Sequence, residues 1–121
     1  MPPSVQIMTW ASMLSSHAII FMVTTRVLMK NFPEKPESNI IGAIVYAVAV
    51  AVALVGLGFL RHSKKVANGQ QFLVVAMAVF EAIAALGMVS VILGVAPSIY
   101  YGLAASGLLL HLIAFPFKRG Q

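Results

Sequence analysis

Four long apolar stretches, separated by short polar segments, occupy most of this 121-residue sequence. They cover about residues 5–29, 40–60, 72–95 and 98–115. Each is long enough to form a helix across the bilayer core, which takes about 20 residues. Strands would have to close into a barrel, and these stretches lack the alternation of polar and apolar residues that a barrel lumen imposes. The sequence therefore predicts an all-α, four-transmembrane-helix bundle built of two helical hairpins.

The composition supports the same class of protein and restricts its chemistry. Hydrophobic residues make up 60% of the chain and charged residues 9%, whereas soluble domains have roughly 45–50% and about 25%. We therefore expect one integral membrane domain over residues 1–121, surrounded by the lipid bilayer. The sequence has no cysteine, no His-Glu-x-x-His motif and no glycine-rich phosphate loop. We predict no enzyme activity, no bound metal and no cofactor.

The basic residues predict the orientation. The net charge of +5 lies beside the apolar stretches, where it suits anionic lipid headgroups, so we predict no nucleic-acid binding. Because cytoplasmic loops carry the excess of Lys and Arg, we expect cytoplasmic termini in a bacterial-type inner membrane. More basic residues lie on the side of the membrane that carries the termini than on the other side. The first set is Arg61, Lys64, Lys65, Lys118 and Arg119, and the second is Arg26, Lys30 and Lys35. Tyr100 and Tyr101, at one end of a span, suit the interfacial aromatic belt.

The third stretch contains one charged residue, Glu81, near its middle. A charge at the bilayer centre costs at least ~2.5–3.5 kcal/mol on insertion scales, so this carboxyl must be protonated, paired or facing a hydrated interior. We interpret Glu81 as a site that binds and releases a cation. A Na⁺ site would need several oxygen ligands, and the third stretch adds only Ser90, so H⁺ is preferred. In the alternative interpretation, Glu81 is only a hydrogen-bonding contact between helices.

Two histidines, His17 and His111, also lie within the apolar stretches. We expect them to support Glu81, or to be neutral imidazoles bonded to hydroxyls such as Ser15, beside His17, or Ser106, near His111. In the four-span topology His17 lies near mid-depth and His111 close to the cytoplasmic end, about 8 Å away along the membrane normal. This mismatch disfavours a haem held between two histidines and leaves a quinone contact open.

Small residues predict where helices pack closely. Ala78, Ala84 and Ala85 lie three or four positions from Glu81, on the same side of a helix. In the second stretch, small residues recur at four-residue spacing, at Ala43, Ala47 and Ala51. We predict that these two faces form a small-residue packing surface, which in most membrane proteins is an ordinary structural contact.

Residues 40–95 resemble the hairpin of the rotary ATPase rotor-ring c subunit, or proteolipid. The resemblance rests on alternating alanines at Ala47, Ala49, Ala51 and Ala53, a basic loop that opens with Arg61, and the segment Phe80-Glu81-Ala82-Ile83-Ala84-Ala85-Leu86-Gly87. It implies that Glu81 is the carrier of H⁺ or Na⁺ and that Arg61 is the loop arginine. The sequence departs from the family in having His62-Ser63 where Gln-Pro is usual, and in the spans that flank the hairpin.

The four-span layout also resembles the ATP synthase I accessory protein and uncharacterised bacterial four-span membrane proteins, and the size resembles the small multidrug resistance exporters. These resemblances imply three functions. The first is proton binding or translocation at Glu81 within a homo-oligomer or a larger membrane complex. The second is a non-catalytic scaffold, anchor or assembly subunit of a respiratory or ATP synthase complex. The third is small-molecule export.

Overall fold

The computed structural model describes residues 3–35, 39–66 and 69–114. Within these ranges the chain is helical and contains no strand. The first helix, α1, spans Pro3–Val23 and continues through a π-helical turn, Thr24–Leu28, into a last turn, Met29–Asn31. The others are α2 (Asn39–Ser63), α3 (Gln70–Ile92) and α4 (Pro97–Ile113).

Three of the helices are long and apolar enough to cross a membrane, namely Val5–Asn31, Asn39–Ser63 and Gln70–Ile92. The predicted all-helical fold is therefore confirmed for the described residues, and the three long apolar helices are consistent with a membrane protein. The fourth helix, α4, is also apolar but has only 17 residues. The third helix ends at Ile92 and not near residue 95, because a turn follows in which Gly94 has a φ of 78°, a conformation that favours glycine.

The π-helical turn of α1 has a local cause in two adjacent threonines. The hydroxyl of Thr24 donates to the carbonyl of Ile20 at 2.6 Å, and that of Thr25 donates to Phe21 at 2.8 Å. These hydroxyls compete with main-chain N–H groups for the same carbonyls and loosen the helix. The next bond skips one residue further than in an α-helix, because the N–H of Met29 reaches the carbonyl of Thr24.

The central helix of the bundle is α3. The share of buried residues is 39% in its most apolar window, against 22% in α2 and 11% in α1, and α3 packs against all three other helices. Its fully buried side chains form the core together with residues of α2 and α4. The core includes Leu73, Met77, Phe80 and Ile83 from α3, Val45, Ala49 and Leu60 from α2, and Leu103 from α4.

Ring and hydrogen-bond contacts give the register of α1 against α4. Trp10 stacks on His111 near one end of the pair, and Phe21 stacks on Tyr100 near the other. The two helices therefore run antiparallel, with the start of α1 beside the end of α4. At the end of the bundle where Phe21 meets Tyr100, the N–H of Lys35 donates to the carbonyl of Gly94 at 2.7 Å. This bond joins the segment after α1 to the turn after α3.

The small-residue face predicted on α2 does not pack against α3 within the described bundle. Ala43, Ala47 and Ala51 are all exposed on the outside of the described bundle. The buried face of α2 instead runs through Gly42, Val45, Ala49, Gly56 and Leu60. Glycine decides the orientation, because a Cβ at Gly56 would lie 2.5 Å from a ring carbon of Phe80, so only glycine admits this ring. Regular four-residue spacing identified small residues, but not which of them faced α3.

Candidate functional site

Glu81 is the central residue of α3, eleven positions from Gln70 and eleven from Ile92. Its side chain is half-buried, and its Oε1 atom is buried with no hydrogen-bond partner among the described residues. The helix that carries Glu81 packs against all three other helices. An acidic group at this position is therefore enclosed by helices over part of its surface.

The structure brings the rings of His17 and His111 into direct contact, although the two residues lie at different levels along their helices. Their ring centroids lie 4.9 Å apart, with the planes at 62°. The reason is the direction of side chains on antiparallel helices. Each Cα–Cβ bond tilts toward the N-terminus of its own helix, so His17 leans toward the start of α1 and His111 leans back along α4 to meet it.

A pair of reciprocal hydrogen bonds holds His111 in place. The indole Nε1 of Trp10 donates to the carbonyl of His111 at 2.8 Å, and Nε2 of His111 lies 2.9 Å from the carbonyl of Trp10. A carbonyl oxygen only accepts, so Nε2 of His111 carries the proton and donates. In the neutral ring Nδ1 is then an acceptor, and it is buried with no partner among the described residues.

His17 lies between the other two groups. Its side chain is 6% exposed, and both ring nitrogens are buried without a hydrogen-bond partner in the described part of the chain. It interacts electrostatically with both His111 and Glu81. The ring lies beside Gly107 of α4, where a Cβ would lie 3.6 Å from Cε1 of His17, an ordinary contact distance.

The three side chains form a titratable cluster, which we define as Glu81, His17 and His111. The hydrogen-bond donors and acceptors of the three side chains determine which hydrogen bonds the cluster can form. The carboxylate of Glu81 accepts, Nδ1 of His111 accepts, and a neutral His17 offers one donor and one acceptor. A doubly protonated His17 offers two donors, one for each neighbour. In the described chain both nitrogens of His17, Oε1 of Glu81 and Nδ1 of His111 are buried without a hydrogen-bond partner, and such uncompensated buried polar groups call for an explanation.

The hydroxyl groups that the sequence suggested as partners lie elsewhere. Ser15 donates to the carbonyl of Ala11 at 3.1 Å, and Ser106 is exposed. Ser90 is buried and donates to the carbonyl of Gly87 at 2.5 Å. Neither histidine is therefore held by one of these serines. Around Glu81, Ala84 is buried, Ala85 is half-buried and Ala78 is exposed, so only part of the predicted alanine face packs inside.

The histidine pair is not arranged to hold a haem. Its rings touch each other edge to face, which leaves no room for a porphyrin between them, and Nε2 of His111 is already bonded to Trp10. Among the described residues no group of three or more His, Cys, Asp or Glu side chains is placed to hold a metal ion.

Sequence reasoning missed an apolar cleft beside the cluster. The cleft has a volume of about 700 Å³ and lies between α1 and α4, with Ala84 of α3 also lining it. His17 forms part of one wall and Tyr100 part of the other. Tyr100 was expected at the membrane interface but is fully buried. Its hydroxyl lies near that of Thr24 without a hydrogen bond of acceptable geometry in the described structure.

No signal in the sequence could have located this cleft, because it depends on how far α1 stands from α4. The cluster was visible only as three separate residues, since their proximity depends on the register of two helices. No protein-family model matches the chain, and neither the curated proteins nor the solved structures include a match to it. The geometry of the titratable cluster is therefore the basis for a functional proposal.

Proposed function

We propose that this protein is a four-span membrane subunit that binds and releases a proton at the titratable cluster, with Glu81 as the acidic site. His17 passes the proton between Glu81 and His111. The observation that carries the proposal is the ring contact of His17 with His111, both buried in the described bundle, together with the electrostatic interaction of His17 with the mid-helix carboxyl of Glu81. An intramembrane ionisable group is a functional candidate by default, because its burial is costly.

The geometry favours H⁺ over Na⁺. Sodium and other hard cations take several oxygen ligands, whereas two of the three groups here are imidazoles. The hydroxyl of Ser90 is already bonded to Gly87 and adds no ligand. Imidazole can take up and return a proton near neutral pH, which suits a relay.

The proposed topology places all four helices across the bilayer. At 1.5 Å per residue the 17 residues of α4 extend about 25 Å, close to the lower limit for a span. The antiparallel contact of α1 with α4 supports an even number of crossings. With four crossings the excess of Lys and Arg places both termini in the cytoplasm. We further propose assembly into a homo-oligomer or with other membrane subunits, as the resemblance to the rotor-ring c subunit implies.

A hydrophobic carbodiimide tests the proposal, since this reagent modifies protonated carboxyls in apolar surroundings. We expect one adduct at Glu81 when native membranes are treated, formed more slowly as the pH rises and the carboxyl loses its proton. Intact-protein mass spectrometry measures the adduct. Glu81→Gln should abolish it, while the matched change Glu34→Gln, in an exposed segment, should leave it unchanged.

An unreactive Glu81 across the pH range would contradict proton exchange at this site. It would favour the scaffold interpretation, in which Glu81 is only a hydrogen-bonding contact between helices.

A further inference from the structure

The cleft between α1 and α4 has properties of a binding site that the proton-binding proposal does not use. Its volume of about 700 Å³ lies within the range of about 300–1,000 Å³ typical of small-molecule sites. It extends from the level of Leu14 and Leu108 to that of Phe21 and Tyr101. Its rim residues Phe21 and Tyr101 are 44% and 47% exposed, so the cleft opens on the outside of the bundle.

The lining excludes a charged ligand. None of the residues around the cleft is Lys, Arg, Asp or Glu, and an unpaired charge is costly in such an apolar space. A fatty acid carboxylate or a phosphate would therefore find no Lys or Arg to pair with in the cleft. The occupant has to be neutral and largely apolar.

Aromatic rings at one end favour a planar group. Tyr100 and Tyr101 have their centroids 5.2 Å apart, and Phe21 stacks on Tyr100 at 6.2 Å with an angle of 23°. Offset or tilted aromatic contacts of this kind stabilise a further flat ring. An acyl chain would gain nothing specific from them.

Two polar side chains on the walls favour an oxygen-bearing head. Both nitrogens of His17 and the hydroxyl oxygen of Tyr100 are buried without a hydrogen bond of acceptable geometry in the described chain, and His17 is 6% and Tyr100 0% exposed. The ring nitrogens of His17 are covered, so the imidazole has to rotate about its Cβ–Cγ bond to present an N–H to the cleft.

We propose that the cleft binds a neutral lipophile of the quinone class, with a planar ring, carbonyl oxygens and an apolar tail. One carbonyl accepts a hydrogen bond from His17, the ring lies against Phe21 and Tyr101, and the tail leaves through the open side into the bilayer. Binding requires the imidazole of His17 but not proton exchange by Glu81. A failure of proton exchange at Glu81 would therefore leave quinone binding in the cleft unaffected, and a failure of quinone binding would leave proton exchange unaffected.

The single tryptophan of the chain reports on binding. Trp10 stacks on His111, which contacts His17, so it lies two ring contacts from the cleft. We expect decyl-para-benzoquinone, added to the purified chain in detergent micelles, to quench Trp10 fluorescence with a saturable component. His17→Phe keeps a ring but removes the donor and should weaken binding about tenfold.

Ala105→Phe fills the cleft from its exposed wall and should abolish the saturable component. Ala43→Phe makes the same change on the outer face of α2 and should leave it intact. Quenching that rises without saturation, or equal binding by Ala105→Phe and Ala43→Phe, would overturn the proposal. Equal competition by decylbenzene, which has no carbonyl, would identify an acyl-chain groove and would also overturn it.

Discussion

Gly107 is the residue at which α4 approaches the backbone of α3 beside the cluster. A Cβ at this position would lie 3.1 Å from the carbonyl oxygen of Phe80 and 3.4 Å from the main-chain nitrogen of Ala84. Backbone atoms in a packed helix cannot move aside as a flexible side chain can. We expect Gly107→Ala to lower the free energy of unfolding by about 1–3 kcal/mol, measured by equilibrium unfolding in mixed micelles.

Gly102, one and a half turns earlier on α4, provides the control. A Cβ there would meet nothing within 4 Å. Gly102→Ala should therefore leave stability unchanged or raise it by up to about 1 kcal/mol, because alanine is the better helix former. Equal destabilisation by both changes would contradict the close approach of α4 to α3 at Gly107.

At the scale of the helices, the apolar stretches predicted the elements well because burial in lipid demands long uninterrupted helices. The features that failed depend on relationships between helices. The outward position of Ala43, Ala47 and Ala51 follows from the glycines that face α3, and the contact of His17 with His111 follows from side-chain tilt on antiparallel helices. The π-helical turn at Thr24 is local, but two adjacent threonines are too common a signal to predict it.

Labelling of single cysteines tests whether α4 crosses the membrane. The chain has no cysteine, so single cysteines can be placed at four positions outside the described helices for labelling with a membrane-impermeant maleimide. Four spans predict that Glu34→Cys and Ala96→Cys react from one side of the membrane. Lys64→Cys and Lys118→Cys should react from the other. If Lys118→Cys reacted together with Ala96→Cys, α4 would not be a span.

At the scale of the whole molecule, the three ionisable groups of the cluster come from three different helices. Glu81 is supplied by α3, His17 by α1 and His111 by α4, and the sequence separates them by 30 residues or more. The sequence could identify Glu81 because a mid-span acid is conspicuous. It could not identify the cluster, because only the packing of α1 and α4 on α3 assembles it.

The central claim, that Glu81 gains and loses a proton inside the bundle, is tested most directly by infrared difference spectroscopy over a pH titration of the reconstituted protein. The chain has only three carboxyl side chains, Glu34, Glu37 and Glu81, so their C=O stretching bands can be assigned by substitution. The account predicts a protonated-carboxyl band that titrates with pH, disappears in Glu81→Gln and persists in Glu34→Gln. A titration in which no carboxyl band is lost in Glu81→Gln would contradict it.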